Sequence, residues 1–159
     1  MMPTATLRGV ILDCADPNAL AWFYQELTGM PIGFSTDEFV GLTGGAGCDL
    51  GFQRVDGYRA PQWPGQDLPQ QFHLDFGVED LDAAEKWMLR LGAVKPDHQP
   101  GAERWRVLLD PAGHPFCLVS GSPVRSLSAE TVTRVEAGRL PCSSEGRGGL
   151  VTSWVLRDR

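Results

Sequence analysis

His73 and Asp75 stand two residues apart in Phe72–Val78, a run in which apolar and polar residues alternate, so a strand there holds imidazole and carboxylate on one face. Such a pair suits proton transfer, because the imidazole titrates near neutral pH, or one side of an ion site. Cys117 lies in a second apolar run, Pro115–Ser120, and its thiol acts as a nucleophile or a soft metal ligand when a base or cation stands close. Absent that neighbour, a small buried residue is the favoured reading of Cys117. His73 reads as a pocket histidine held by hydrogen bonds, the favoured reading, or as a metal ligand. His98 and His114 fall among Pro and Gly in loops, where an exposed histidine is ordinary. Gly44-Gly45-Ala46-Gly47 lacks the Lys and Ser/Thr of a phosphate loop and reads as a hairpin turn, and neither a G-x-S-x-G elbow nor an H-E-x-x-H helix occurs.

The elements that position these residues come in two similar sets. Leu7–Cys14 is an apolar run, Asp16-Pro17 supplies a helix cap and a first-turn proline, and Leu20, Phe23, Tyr24 and Leu27 recur at helical spacing until Gly29. In the second set Phe72–Val78 alternates as a strand. Asp80 then caps a helix with Leu81, Ala84, Trp87, Met88 and Leu91 on one side and Gly92 as its stop. Short strands follow each helix, at about Pro31–Ser35, Glu38–Thr43 and Cys48–Val55, then near Val94, Glu103–Leu109 and Pro115–Ser120. Each set reads β-α-β-β-β, with a Pro- and Gly-rich connector from Asp56 to Pro69 between them.

The chain of 159 residues, 42% hydrophobic, is long enough for one domain with a proper core and has no apolar run of membrane-spanning length. Residues 1–121 hold 8 Lys/Arg against 16 Asp/Glu, a balance of 8 − 16 = −8, whereas residues 122–159 hold 6 against 4. An acidic body repels nucleic acid and anionic membranes, so neither is expected as a partner, and it attracts cationic small molecules. Cys14, Cys48, Cys117 and Cys142 form no C-x-x-C pair, which argues against a structural zinc site and a disulfide framework. No basic stretch leads into an apolar core at the N-terminus, so a cytoplasmic location is expected. Residues 122–159, with Gly138, Gly146, Gly148, Gly149, Pro123 and Pro141, are expected to form a peripheral, partly disordered tail.

The turn and strand Asp110-Pro111-Ala112-Gly113-His114-Pro115-Phe116-Cys117-Leu118-Val119 resemble the closing hairpin of the vicinal oxygen chelate superfamily, which includes glyoxalases, bleomycin-resistance proteins and extradiol dioxygenases. Leu12-Asp13-Cys14-Ala15-Asp16-Pro17, Phe23-Tyr24 and His73-Leu74-Asp75-Phe76 are similar to its small glyoxalase-like branch, over about residues 7–121. The resemblance implies an α+β fold of paired β-α-β-β-β modules, about 7–55 and 71–121, forming a curved mixed sheet around a ligand cleft, and a homodimer. It also implies four metal-ligand positions, which correspond here to Gly9, Gly51, His73 and Cys117. Glycine donates nothing, and one imidazole with one thiol falls short of the three or four ligands of a stable divalent site. A bound metal is therefore not expected, a divalent ion remaining the alternative cofactor.

Strand periodicity then turns Ile11, Asp13, Asp49, Gln53, His73, Asp75, Cys117 and Val119 toward the cleft, with space where the metal would have been. Trp105 and Trp63 are candidate aromatic walls. Val10, Leu12, Leu50, Phe52, Phe72, Leu74, Phe116 and Leu118 form the helix-covered face. The expected function is binding of a small, cationic molecule without catalysis. The alternative is a lyase, isomerase or dioxygenase of the same superfamily, with catalytic candidates His73, Asp75 and Cys117.

Overall fold

The computed structural model describes residues 5–44, 47–101 and 103–121. The tail expectation for 122–159 and the centre of the glycine turn, residues 45 and 46, lie outside the described residues. The elements run β1 (Gly9–Cys14), α1 (Pro17–Thr28), β2 (Ile32–Ser35), β3 (Phe39–Leu42), β4 (Asp49–Arg54), β5 (Leu74–Val78), α2 (Leu81–Arg90), β6 (Trp105–Leu109) and β7 (Pro115–Ser120). They make two mixed sheets, one ordered β1-β4-β3-β2 and the other β5-β7-β6.

Local chemistry explains the helices. Asp16 accepts from the amides of Asn18 and Ala19 at 3.0 Å each, Pro17 occupies the first turn, and Gly29 at φ +70° ends α1 in the left-handed conformation that glycine adopts without strain. Asp80 caps α2 through the amide of Ala83 at 2.9 Å. Trp87 departs from its expected place on the inner side of α2. At the rim of the apolar stripe it is 42% exposed, with the Arg90 guanidinium 5.1 Å from its ring centre.

The repeat appears in the registers. The first strand of each module lies parallel to the last, Ile11 opposite Gly51 on β1 and β4, and Asp75 opposite Cys117 on β5 and β7. One expectation is corrected. The strand near Val94 is a single bridge to Leu109, because Lys95, Pro96 and Asp97 turn the chain away from further pairing. As expected of paired modules, each contributes its own mixed sheet, since β1 pairs only with β4 and β5 only with β7 among the described strands.

What joins the modules is a shared core. Phe23 and Tyr24 of α1 pack edge-on to Phe116 of β7 at 5.8 and 6.2 Å, and Tyr24 also stacks on Phe52 of β4 at 5.3 Å and tilts against Phe76 of β5 at 5.8 Å. Burying each such ring contributes about 1.5–3 kcal/mol. Tyr24 is fully buried, so its hydroxyl needs a partner, and it donates to Asp110 Oδ2 at 2.9 Å. Asp110, itself 3% exposed, uses Oδ1 to accept from the amides of Ala112 and His114 at 2.9 Å each, while the Gly113 amide donates to its backbone carbonyl at 2.8 Å. The expected turn is thus present, with Gly113 at φ +88° and no room for a side chain, because a Cβ would lie 2.7 Å from that of Ala60.

Burial pushes the Asp110 carboxyl above the usual carboxylate range, and its hydrogen bonds together with His114 hold that rise in check. Ionising Asp110 therefore costs stability as pH rises through the unfolded carboxyl's pKa, and the Tyr24 hydroxyl reduces that cost. Tyr24→Phe is expected to lower stability by about 1–3 kcal/mol near neutral pH and by less in acid, where the protonated carboxyl needs the donor less. Urea unfolding at both pH values measures it. A loss below about 0.5 kcal/mol at neutral pH would mean that the turn amides alone satisfy Asp110.

Candidate functional site

A cavity of about 390 Å³ lies where β1 faces the start of β5. Ile11, Leu12 and Asp13 line it from β1, Tyr24 from α1, Arg59, Pro61, Leu68, Pro69, Gln70 and Gln71 from the connector, and Phe72, His73, Leu74, His114 and Pro115 from the second module. Its size falls within the range of small-molecule sites. His114 helps set the gap. Its Nε2 donates to the carbonyl of Asp13 at 2.7 Å and sits 3.1 Å from the Tyr58 hydroxyl, which in turn donates to the carbonyl of Ala112 at 2.9 Å.

Of the residues expected in the cleft, Ile11, Asp13 and His73 line this cavity. Asp75 and Cys117 adjoin it through His73, whose Nε2 lies 3.4 Å from Asp75 Oδ1. The other candidates fall elsewhere. Asp49 begins β4 opposite Gly9, Gln53 lies opposite Asp13 on the strand behind it, and Trp105 is on the edge strand β6, covering Gly101 with the Arg104 guanidinium over its ring at 4.9 Å. Trp63 packs against His98 at 5.3 Å. Phe72, assigned to the helix-covered face, is 56% exposed and lines the cavity, because β5 starts at Leu74 and strand alternation does not govern the residues before it.

Arg59, Gln70 and Gln71 lie in a Pro-rich spacer that carries no periodic signal, and His114, expected as an ordinary loop residue, also lines the cavity. The Gln70 Oε1 atom is buried without a hydrogen-bond partner, an acceptor left open in the wall. Asp13 and Arg59 bring opposite charges, and no ion pair joins them among the described residues.

The four ligand positions of the superfamily do not fit a metal here. A side chain at Gly51 would put its Cβ 2.5 Å from Ile11 Cδ1 and 2.6 Å from the Phe39 ring, and one at Gly9 would sit 3.0 Å from the Asp49 carbonyl. The space expected beside Gly51 is filled by the apolar side chains of Ile11 and Phe39, and that beside Gly9 is closed by the Asp49 backbone. In the second module, by contrast, His73, Asp75 and Cys117 present one nitrogen, one oxygen and one sulfur, all within 4.8 Å of one another.

This trio is not arranged as a thiol nucleophile with its base. Asp75 stands between the other two, and burial, then the charge of Asp75 and a hydrogen bond to it, push the Cys117 thiol up to about 12. Burial and the nearby charge of Asp16 push Cys14 up to about 11.

Residues 9–119 match the family described as Glyoxalase-like domain, and the chain belongs to that family, within the vicinal oxygen chelate superfamily. Solved structures agree on the fold. A glyoxalase/bleomycin resistance protein/dioxygenase family enzyme from Burkholderia phytofirmans PsJN is 22% identical with a TM-score of 0.56, the match covering 73% of this chain and 98% of that one. A glyoxalase-related enzyme from Fulvimarina pelagi is 20% identical at TM-score 0.54, covering 78% and 93%. The trypanothione-dependent glyoxalase I of Leishmania major is 19% identical at TM-score 0.52, covering 84% and 91%. No curated protein matches the chain by sequence.

Because the charge of Asp75 helps keep Cys117 protonated, Asp75→Asn should lower the thiol's pKa and speed its alkylation at about pH 9. Timed iodoacetamide labelling with peptide mapping measures the rate at each cysteine. Fast labelling of Cys117 in the unsubstituted chain, or no acceleration in the variant, would contradict the assigned burial and charge.

Proposed function

We propose that this protein binds a small, flat organic molecule carrying an amine or other cationic group, and does so without the four-ligand chelate of its superfamily. The observation that carries this reading is the cavity between the modules, with Asp13 at its mouth and an apolar lining from Ile11, Leu12, Phe72 and Leu74. A carboxylate at the edge of a partly enclosed, low-dielectric space attracts a cation more strongly than an exposed one does. Asp75, two residues along from His73 and 3.4 Å from its Nε2, brings a second carboxylate close to the cavity. Arg59 and the open acceptor of Gln70 suit the polar far end of such a molecule.

One observation favours a second reading. The 3.4 Å pairing of His73 with Asp75 orients an imidazole at the cavity edge, as a general base for a lyase or isomerase would require. Turnover lost in His73→Gln would support it. The assembly we propose is a homodimer, supported by Ile11, Ile32 and Phe34 on the first sheet, each about half exposed or more.

No helix among the described residues is long and apolar enough to cross a membrane.

Matched cationic, neutral and anionic aromatic compounds should separate in a thermal-shift screen, the cations raising the melting temperature most. Asp13→Asn should weaken the best cation's affinity on the order of tenfold, the effect of one charged hydrogen bond. A consistent preference for the anions, or no change in Asp13→Asn, would overturn the assignment of this cavity.

A further inference from the structure

We infer that residues 59–71 of the connector form a strap that opens and closes over the seam cavity, and that the contact of Tyr58 with Ala112 and His114 is the latch that holds it shut. The inference rests on the proposal that this cavity receives a ligand, and on nothing about which one.

The strap is fixed firmly at its ends and weakly between them. Before it, the Val55 amide donates to the carbonyl of Cys14 at 2.9 Å, and the chain then turns at Gly57, whose φ is +68°. After it, β5 begins at Leu74. Among the described residues, the backbone hydrogen bonding of 59–71 is internal, from the Gln62 amide to the carbonyl of Leu68 at 2.7 Å. Gln66 and Gln71 likewise donate to carbonyls of the strap itself, those of Gly65 and Pro69. A segment with so few bonds to its surroundings opens at low cost.

Its ties to the body are side chains. The Tyr58 hydroxyl, at the hinge end, donates to the carbonyl of Ala112 at 2.9 Å and lies 3.1 Å from His114 Nε2. Trp63 packs on His98 with ring centres 5.3 Å apart. The other half of the latch is rigidly built, because the buried Asp110 carboxylate holds the amides of Ala112 and His114. Burial, then the charge of Asp110, push the Tyr58 phenol above its ordinary value, so it stays a hydrogen-bond donor across the physiological range.

Space lies on both sides of the strap. Arg59 and Pro61 line the seam cavity, while Tyr58 and Ala60 line a second cavity of about 320 Å³ together with Cys14, Leu20 and Ala112. Successive residues therefore face opposite cavities, and this end of the strap is the partition between them. A swing into the second cavity widens the entry to the first and leaves both sheets in place. Because Arg59, Leu68 and Gln70 are wall residues, the closed strap also completes the enclosure of whatever has entered. Weakening the latch alike in the empty and occupied protein then raises entry and exit together.

The test is limited trypsin digestion of the full chain without ligand, since cleavage in a locally opened segment follows the population of the open form. Tyr58→Phe keeps the ring and removes the hydroxyl, and should speed cleavage after Arg59 by about three- to tenfold, the effect of one hydrogen bond. Cleavage after Arg54, at the end of β4, should not change. Trp63→Ala releases the second tie and should act in the same direction, which provides another variant should circular dichroism show that Tyr58→Phe does not fold. Equal cleavage after Arg59 in variant and unsubstituted chains, or an equal acceleration after Arg54, would overturn the strap. Stopped-flow binding of the cationic aromatic compound with the largest thermal shift reads the gate. Association and dissociation should both quicken in Tyr58→Phe with Kd nearly unchanged, whereas faster dissociation alone would mark a merely structural contact and overturn the gate. Accelerated cleavage after Arg59 with no binding by any cation of the series would support the latch and overturn the proposed ligand instead.

Discussion

The contact between the Tyr24 hydroxyl and the buried carboxylate of Asp110, 2.9 Å long, is the constraint on which the arrangement of this protein depends. It connects a helix of the first module to the β6–β7 turn of the second, across 86 residues of chain. Each partner would be costly to bury alone. Together with the turn amides they satisfy each other, and the packing of Tyr24 against Phe52, Phe76 and Phe116 fixes the ring between the sheets. With the sheets joined by this core and by no strand pairing between β1 and β5, a gap remains along the seam. The candidate site is that gap, roofed by the connector.

The same constraint separates two chemistries that the superfamily combines. Ligand positions distributed over both modules would need donors on β1 and β4, where this chain has Gly9, against the Asp49 carbonyl, and Gly51, whose space Ile11 and Phe39 close. Around Gly51 the first module is thereby closed by apolar side chains. Polar groups gather instead on the second module and at the seam, where Asp13, Arg59, His73 and His114 meet. The net result is a cavity with both charged and apolar lining, next to a compact nitrogen, oxygen and sulfur cluster on a single sheet.

Much of the fold could be read from residue patterns, because strand alternation and helix caps are local. Asp16-Pro17 and Gly29 bound α1, and the run Pro115–Ser120 is β7 to the residue. The donor atoms of His73, Asp75 and Cys117 lie within 4.8 Å of one another, although β5 itself starts at Leu74 and alternation holds only from there. What failed was non-local. Asp49, Gln53 and Trp105 point to the expected side of their strands, yet the cavity lies at the β1 and β5 edges and does not extend over whole sheet faces. Arg59, Gln70 and Gln71 carry no periodic signal in a Pro-rich segment, and nothing in the sequence says that this segment folds over the seam. Nor could composition show that Phe39, a residue of β3, would fill the place beside Gly51.

The central claim, that recognition occurs at the seam, is tested most directly by a heteronuclear NMR titration of the full chain with the tightest-binding cationic aromatic compound. Amide shifts are predicted for residues 11–13, 59, 70–74 and 114, which border the cavity. Shifts centred on residues 39–42 and 49–53, the filled face of the first sheet, would contradict it.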